Sequence, residues 1–110
     1  MNIVVVEGVL ARPVARRELP SGEVQASLEL GGLEGAPVPV VAADQLVPEL
    51  EVGARVLVSG SVRKRFFRAG GATQSRTEVV ADMVVPAGDR RRGRRLRERA
   101  AQAVLGGSPT

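Results

Sequence analysis

Apolar and polar residues alternate with a period of two over residues 23–30. Val24, Ala26, Leu28 and Leu30 fall on one face and Glu23, Gln25, Ser27 and Glu29 on the other, which is the pattern of a half-buried strand. Residues 2–11 are a β-branched run that ends near Arg12-Pro13. The stretch Ile3-Val4-Val5-Val6 does not alternate, so it is expected to be buried on both faces or at a subunit contact. Residues 38–42 read as a short apolar strand, 55–67 as a longer one opened by Gly53, and 77–85 as the last. Turn residues punctuate these runs: Leu19-Pro20-Ser21-Gly22, a loop over 31–37, and a hairpin at Gly70-Gly71. Residues 43–50 have room for one or two helical turns, limited by Pro48. The pattern predicts five strands with one short helix, inside residues 43–51, between the third and the fourth.

Five strands of this kind close into a small all-β Greek-key barrel, of which the OB-fold is the common example. A β-sandwich is the alternative topology. Pro86 and Gly88 close the body, which sets a domain at residues 1–86 and a tail at 87–110. Charge sharpens that division. The chain of 110 residues carries +4, but residues 1–86 hold nine basic and ten acidic groups, and residues 87–110 hold seven arginines against Asp89 and Glu98. Fifteen of the sixteen basic residues are Arg, whose planar fork suits phosphate; a general coding bias toward Arg is the plainer reading. The run Arg90-Arg91-Arg92-Gly93-Arg94-Arg95 repels itself and favours disorder. Leu96, Ala100, Ala103 and Val104 then follow helical spacing, so residues 96–105 are expected to form a weak helix ended by Gly106-Gly107-Ser108-Pro109. With so few large apolar groups in the tail, its removal is expected to leave the fold intact.

The residue inventory narrows the chemistry. There is no cysteine and no histidine, which removes thiolate chemistry, disulfides, and the commonest general base and metal ligand. The carboxylates form no metal-like cluster in sequence, and Gly70-Gly71-Ala72 lacks the lysine and helix of a phosphate loop. No catalytic residue, metal or cofactor is expected, and the chain reads as a binder and not an enzyme. No apolar run approaches the ~20 residues of a membrane span, and the first ten residues do not read as a signal peptide; a cytoplasmic protein is expected.

Several segments, in one order, resemble the bacterial single-stranded DNA-binding protein family. Asn2 with its aliphatic run, Gly8, Leu10 and Arg12 resemble that family's first strand, and Arg17 ahead of Leu19-Pro20-Ser21-Gly22 resembles its first turn. Ala26-Ser27-Leu28-Glu29-Leu30 and Val40-Val41-Ala42 resemble the second and third strands. Gly53-Ala54-Arg55-Val56-Leu57-Val58-Ser59-Gly60-Ser61-Val62, then Arg65-Phe66-Phe67, resemble the fourth and its continuation, and Thr77-Glu78-Val79-Val80-Ala81 the fifth. The resemblance covers residues 2 to about 86. It implies an OB-fold, a homodimer or homotetramer formed through the first strand's edge, and sequence-independent binding of single-stranded DNA in replication, repair or recombination. The departures are clear: no tryptophan is present, the loop before the third strand is cut to residues 31–37, and the chain ends in an Arg-rich run and Ser-Pro-Thr, not an acidic tip. In size and in lacking that tip it is also similar to primosomal replication protein B, a dimeric relative that binds single strands.

Sequence-independent binding needs cations along the phosphates and flat groups against the bases. Strand parity puts Val56, Val58, Gly60 and Val62 on one face, the barrel interior, and Leu57, Ser59, Ser61, Arg63, Arg65 and Phe67 on the other. Phe67 is the expected stacking platform and Phe66 the packing residue, provided that no bulge intervenes. Arg12, Arg17, Arg63, Arg65, Arg68 and Arg76 complete the expected DNA-binding set, whereas Arg16 and Arg55 read as solvated surface. Arg90, Arg91, Arg92, Arg94 and Arg95 are expected tail contacts to nucleic acid; RNA or an acidic protein are the other partners such a run fits. The alternative function is a protein–protein adaptor, or an RNA binder, that has lost most of its DNA-stacking face.

Overall fold

The structure, a computed structural model, describes residues 1–32 and 34–106. Its strands are β1 (Val4–Leu10), β2 (Ala15–Glu18), β3 (Val24–Gly31), β4 (Val38–Ala43), β5 (Arg55–Ala69) and β6 (Ala72–Pro86), followed by the helix α1 (Arg90–Gly106). The end of the expected helix stop, Gly107-Ser108-Pro109, lies outside the described residues. Five strands close a ring in the order β1-β5-β6-β4-β3, completed by Val9↔Gly31 and Leu10↔Leu30 between β1 and β3. All ring neighbours are antiparallel except β4 and β6, which run parallel at Val40↔Val79 and Val41↔Val80. These are the five expected strands. The ring encloses Leu10, Leu28, Leu30, Val40, Val56, Val58, Val79 and Val84; of the inward set expected on β3 and β5, Val24 and Val62 are instead 40% and 42% exposed, beyond the reach of the core.

β2 is the strand that the pattern does not reveal. Its four residues, Ala-Arg-Arg-Glu, are all exposed, so no hydrophobic period betrays them. It is held only as a hairpin partner of β3, from Ala15↔Ser27 to Glu18↔Val24, across the predicted turn, where the Gly22 N–H donates to the Leu19 carbonyl at 2.8 Å. The expected short helix is a single 3₁₀ turn, Asp44–Leu46. Proline explains its brevity: Pro48 disfavours helical geometry in the residue before it, and Val47 is extended at φ −100°, ψ 116°.

One bulge shapes the long hairpin. The register between β5 and β6 shifts between Ser59↔Met83 and Gly60↔Ala81, leaving Asp82 as the extra residue. Its Oδ1 accepts from the Ser59 hydroxyl at 2.6 Å. A Cβ on Gly60 would lie 2.0 Å from the Val80 carbonyl oxygen, so the crossing admits glycine alone. From Gly60 to Ala69 the pairing is regular, and the parity assumed for residues 62–67 holds. Beyond Gly60, β5 has lost its pairing with β1, which begins at Val4↔Gly60. There the side chain of Asn2 takes over: Nδ2 donates to the Val62 carbonyl (2.7 Å) and Oδ1 accepts from the Val62 N–H (2.9 Å). The hairpin then continues as a two-stranded arm, turned at its tip by Gly70 (φ 60°) and Gly71 (φ 79°), the two positive dihedrals of a type I′ turn.

Two expectations change here. Phe66 shares parity with the core, but the arm carries it past the end of the ring, and it is 67% exposed. It packs nothing, so Phe66→Ala is expected to shift unfolding stability by no more than about 0.5 kcal/mol, measured by urea titration. The Arg-rich segment, read as disordered up to a weak helix from Leu96, is helical from Arg90 through Gly106. Asp89 caps it: Oδ1 accepts from the Arg92 N–H at 3.1 Å and the carbonyl from the Gly93 N–H at 2.9 Å. Gly93 and Leu96 face inward, and Leu96 joins Leu57, Val85 and Met83 in a second apolar cluster outside the ring.

Candidate nucleic-acid interface

Outward-facing residues of β3 and β4 cannot reach the core, so what they carry is available for binding. Gln25, Ser27 and Glu29 of β3, with Pro39 and Val41 of β4, floor a groove of about 540 Å³. β2 walls it on one side with Arg16 and Arg17, Arg12 closes one end, and Arg65 and Arg76 reach in from the arm. Five arginines from distant parts of the chain thus converge on one concave surface.

Carboxylates hold most of these cations in place. Glu29 pairs with Arg12 at 3.2 Å and with Arg76 at 3.7 Å. Glu78, 2% exposed, takes Arg63 through a short hydrogen bond and Arg65 at 3.7 Å. Arg16 is bound to Asp44 at 2.6 Å. Arg17 forms no ion pair among the described residues. Arg65 has a buried Nε without a hydrogen-bond partner, although a buried donor ordinarily finds one. Its guanidinium carbon lies 5.8 Å from the ring centroid of Phe67, within cation–π range, and that ring is 37% exposed.

The expected DNA-binding residues therefore divide. Arg12, Arg17, Arg65 and Arg76 line the groove. Arg63 stands behind Arg65 on Glu78, and Phe67 stands beside it. Arg68 lies apart: it donates to the Gly71 carbonyl at 2.9 Å and braces the hairpin tip. Leu57 and Ser59, on the face that parity places outside the ring, are nevertheless buried; Leu57 lies under Leu96 of α1. Arg90, Arg91, Arg92, Arg94 and Arg95 sit on α1, against β5 and β6, while the groove lies across β3 and β4. Sequence reasoning missed Arg16, which lines the groove, because β2 itself carried no signal. Arg55 pairs with Glu7 at 3.4 Å, outside the groove.

Among the described residues no group of three or more acidic side chains is placed to hold a metal ion, and no helix is long and apolar enough to cross a membrane. No family model matches the chain, and no curated protein does. A search of solved structures finds the SSB of Plasmodium falciparum in complex with single-stranded DNA, at TM-score 0.66 and 17% sequence identity, covering 78% of this chain and 94% of that one. With the closed five-strand ring and its one parallel pairing, that likeness identifies the fold of this chain as the SSB-like OB-fold.

Proposed function

We propose that the protein binds single-stranded DNA without sequence preference, in the groove over β3 and β4, and serves replication, repair or recombination. The observation that carries this reading is the convergence of Arg12, Arg16, Arg17, Arg65 and Arg76 on one open groove. Cations so spaced track a phosphate backbone, which carries no sequence information. Arg65 is held by Glu78 at 3.7 Å and lines the groove, where its charge faces a phosphate backbone. Phe67, beside Arg65, supplies a ring for a base. The Plasmodium neighbour holds single-stranded DNA, which supports the same reading. The role is that of a binder and not a catalyst, in the cytoplasm with the nucleoid.

The ion pairs set how the groove works. Glu29 and Glu78 keep the arginines extended before the strand arrives, which lowers the ordering cost of binding. Phosphates then compete with the carboxylates for the same forks. One ring per chain gives little stacking energy, so useful affinity needs several chains. β1 from Val4 to Gly8 pairs with β5 on one side only, and Val5 on it is 44% exposed. A second copy pairing there gives the homodimer or homotetramer, which light scattering at micromolar protein tests; a constant monomer mass contradicts it.

Fluorescence titration of labelled oligo-dT against salt tests the groove. Arg17→Gln removes an arginine that no carboxylate holds, so it is expected to flatten the salt dependence by about 0.7 in log–log slope. Phe67→Ala is expected to weaken binding by about 1–3 kcal/mol, and Phe66→Ala by less. Unchanged oligo-dT affinity and slope in both Arg17→Gln and Phe67→Ala would refute the groove and favour the adaptor reading. Tighter binding of RNA than of DNA of equal length would move the substrate to RNA.

A further inference from the structure

α1 carries seven arginines against one acidic residue, Glu98, in seventeen residues. All seven are exposed, and among the described residues none forms an ion pair. This contrasts with the groove, where carboxylates hold most of the cations. Leu96 and Gly93 fix which side of the helix meets the barrel. At 100° per residue, Arg91, Arg94 and Arg95 then form, around Glu98, the crest that points away from it, with Arg90 and Arg97 on one flank and Arg92 and Arg99 on the other. The helix lies over β5 and β6 at Leu57 and Val85, on the side of the ring away from β3 and β4. One strand segment lying in the groove therefore leaves α1 free.

We propose that α1 is a second nucleic-acid site, for the phosphate backbone of duplex DNA. The proposal adds to the groove reading and does not require it. α1 has no aromatic side chain and no Asn or Gln beyond Gln102, so it cannot stack on bases and has little with which to read them. It senses charge density alone, and duplex DNA has the higher: one charge per ~1.7 Å of axis, with ~0.9 counterions released per contact against ~0.7 for a single strand. A helix with seven arginines to one carboxylate thus prefers the duplex, whereas the groove, with Phe67 beside it, favours unpaired bases. With both surfaces filled, the protein holds a single strand and an adjoining duplex at once, as at a strand junction.

The test uses the full chain and the variant Arg91→Gln/Arg94→Gln/Arg95→Gln. Glutamine retains helix propensity, and circular dichroism checks that α1 persists. Binding to a labelled 20-base-pair duplex is expected to fall at least about ten-fold and its log–log salt slope to flatten by about 2–3, while oligo-dT affinity changes by less than about three-fold. Saturating unlabelled oligo-dT is expected to leave the duplex bound to the parent protein. Unchanged duplex binding in the variant overturns the proposal, as does equal loss for duplex and oligo-dT, or stoichiometric displacement of duplex by oligo-dT. Failure of the groove reads out separately, as loss of the Arg17→Gln and Phe67→Ala effects on oligo-dT with duplex binding intact.

Discussion

Leu96→Ala is expected to destabilise the protein by about 2–5 kcal/mol. Leu96 is fully buried although it belongs to the most highly charged stretch of the chain. Its side chain fills the space above Leu57 and Val85, which lie on the outer face of the barrel wall. Alanine there leaves a cavity, and the helix loses its one large buried anchor. Its first turn already sets Arg90, Arg91 and Arg92 against the positive end of the helix dipole, so little else holds it down. Truncation after Pro86 has the same sign: it uncovers Leu57 and Val85 and replaces their packing with water. The fold is still expected to survive removal of residues 87–110, because the ring's core contains no residue of α1, but at reduced stability. Urea unfolding of the full chain, the point variant and the truncated chain measures both effects; a truncated chain as stable as the parent would show that α1 contributes nothing to the barrel.

Gly60→Ala is also expected to be damaging, at or above the ~1–3 kcal/mol that overpacking costs. The added methyl would lie 2.0 Å from the Val80 carbonyl oxygen and 2.9 Å from the Ala81 Cα. Both are backbone atoms of the neighbouring strand, so no rotamer change relieves the clash. β5 and β6 must move apart where the bulge at Asp82 bends them, and the arm changes direction with them. Because Arg65 and Phe67 ride on that arm, oligo-dT binding is expected to weaken beyond what lost stability explains. A variant that unfolds at the parent's urea midpoint would mean that the strands separate there at no cost.

The parts of the fold visible in the sequence are those in which one face of an element meets the core. β3 announced its inward set through Ala26, Leu28 and Leu30, and the Gly70-Gly71 hairpin through its pair of glycines. The hidden parts draw their stability from elsewhere. β2 has no buried face. α1 has a single buried leucine, so its arginines masked the apolar contact that orders it. Parity along β5 gave the two faces correctly but not what each face meets: the odd face is covered by α1 at Leu57 and open on the arm at Phe67, and the even face is core at Val58 and solvent at Phe66. Of the binding set, Arg12, Arg17, Arg65 and Arg76 could be named one by one from the sequence, and Arg16 could not. Their grouping could not, because it depends on Glu29 and Glu78, which in sequence are only the polar half of an alternating strand and the opening of another.

The Asn2 clamp on Val62 has a consequence for how copies of this protein meet. Past Gly60 the outer margin of the arm is a row of unsatisfied backbone groups, and such margins recruit foreign strands into runaway stacks. Asn2 occupies the N–H and carbonyl that an intruder would take first. Immediately beyond it stand Arg63, Arg65, Arg68 and Lys64, the sole lysine of the chain, a fence of like charge that would meet its own image in a second arm. In the homo-oligomer proposed above, copies would be turned away from the arm and would pair at β1, so the same short N-terminal segment would both admit orderly pairing and guard against fibre-like growth.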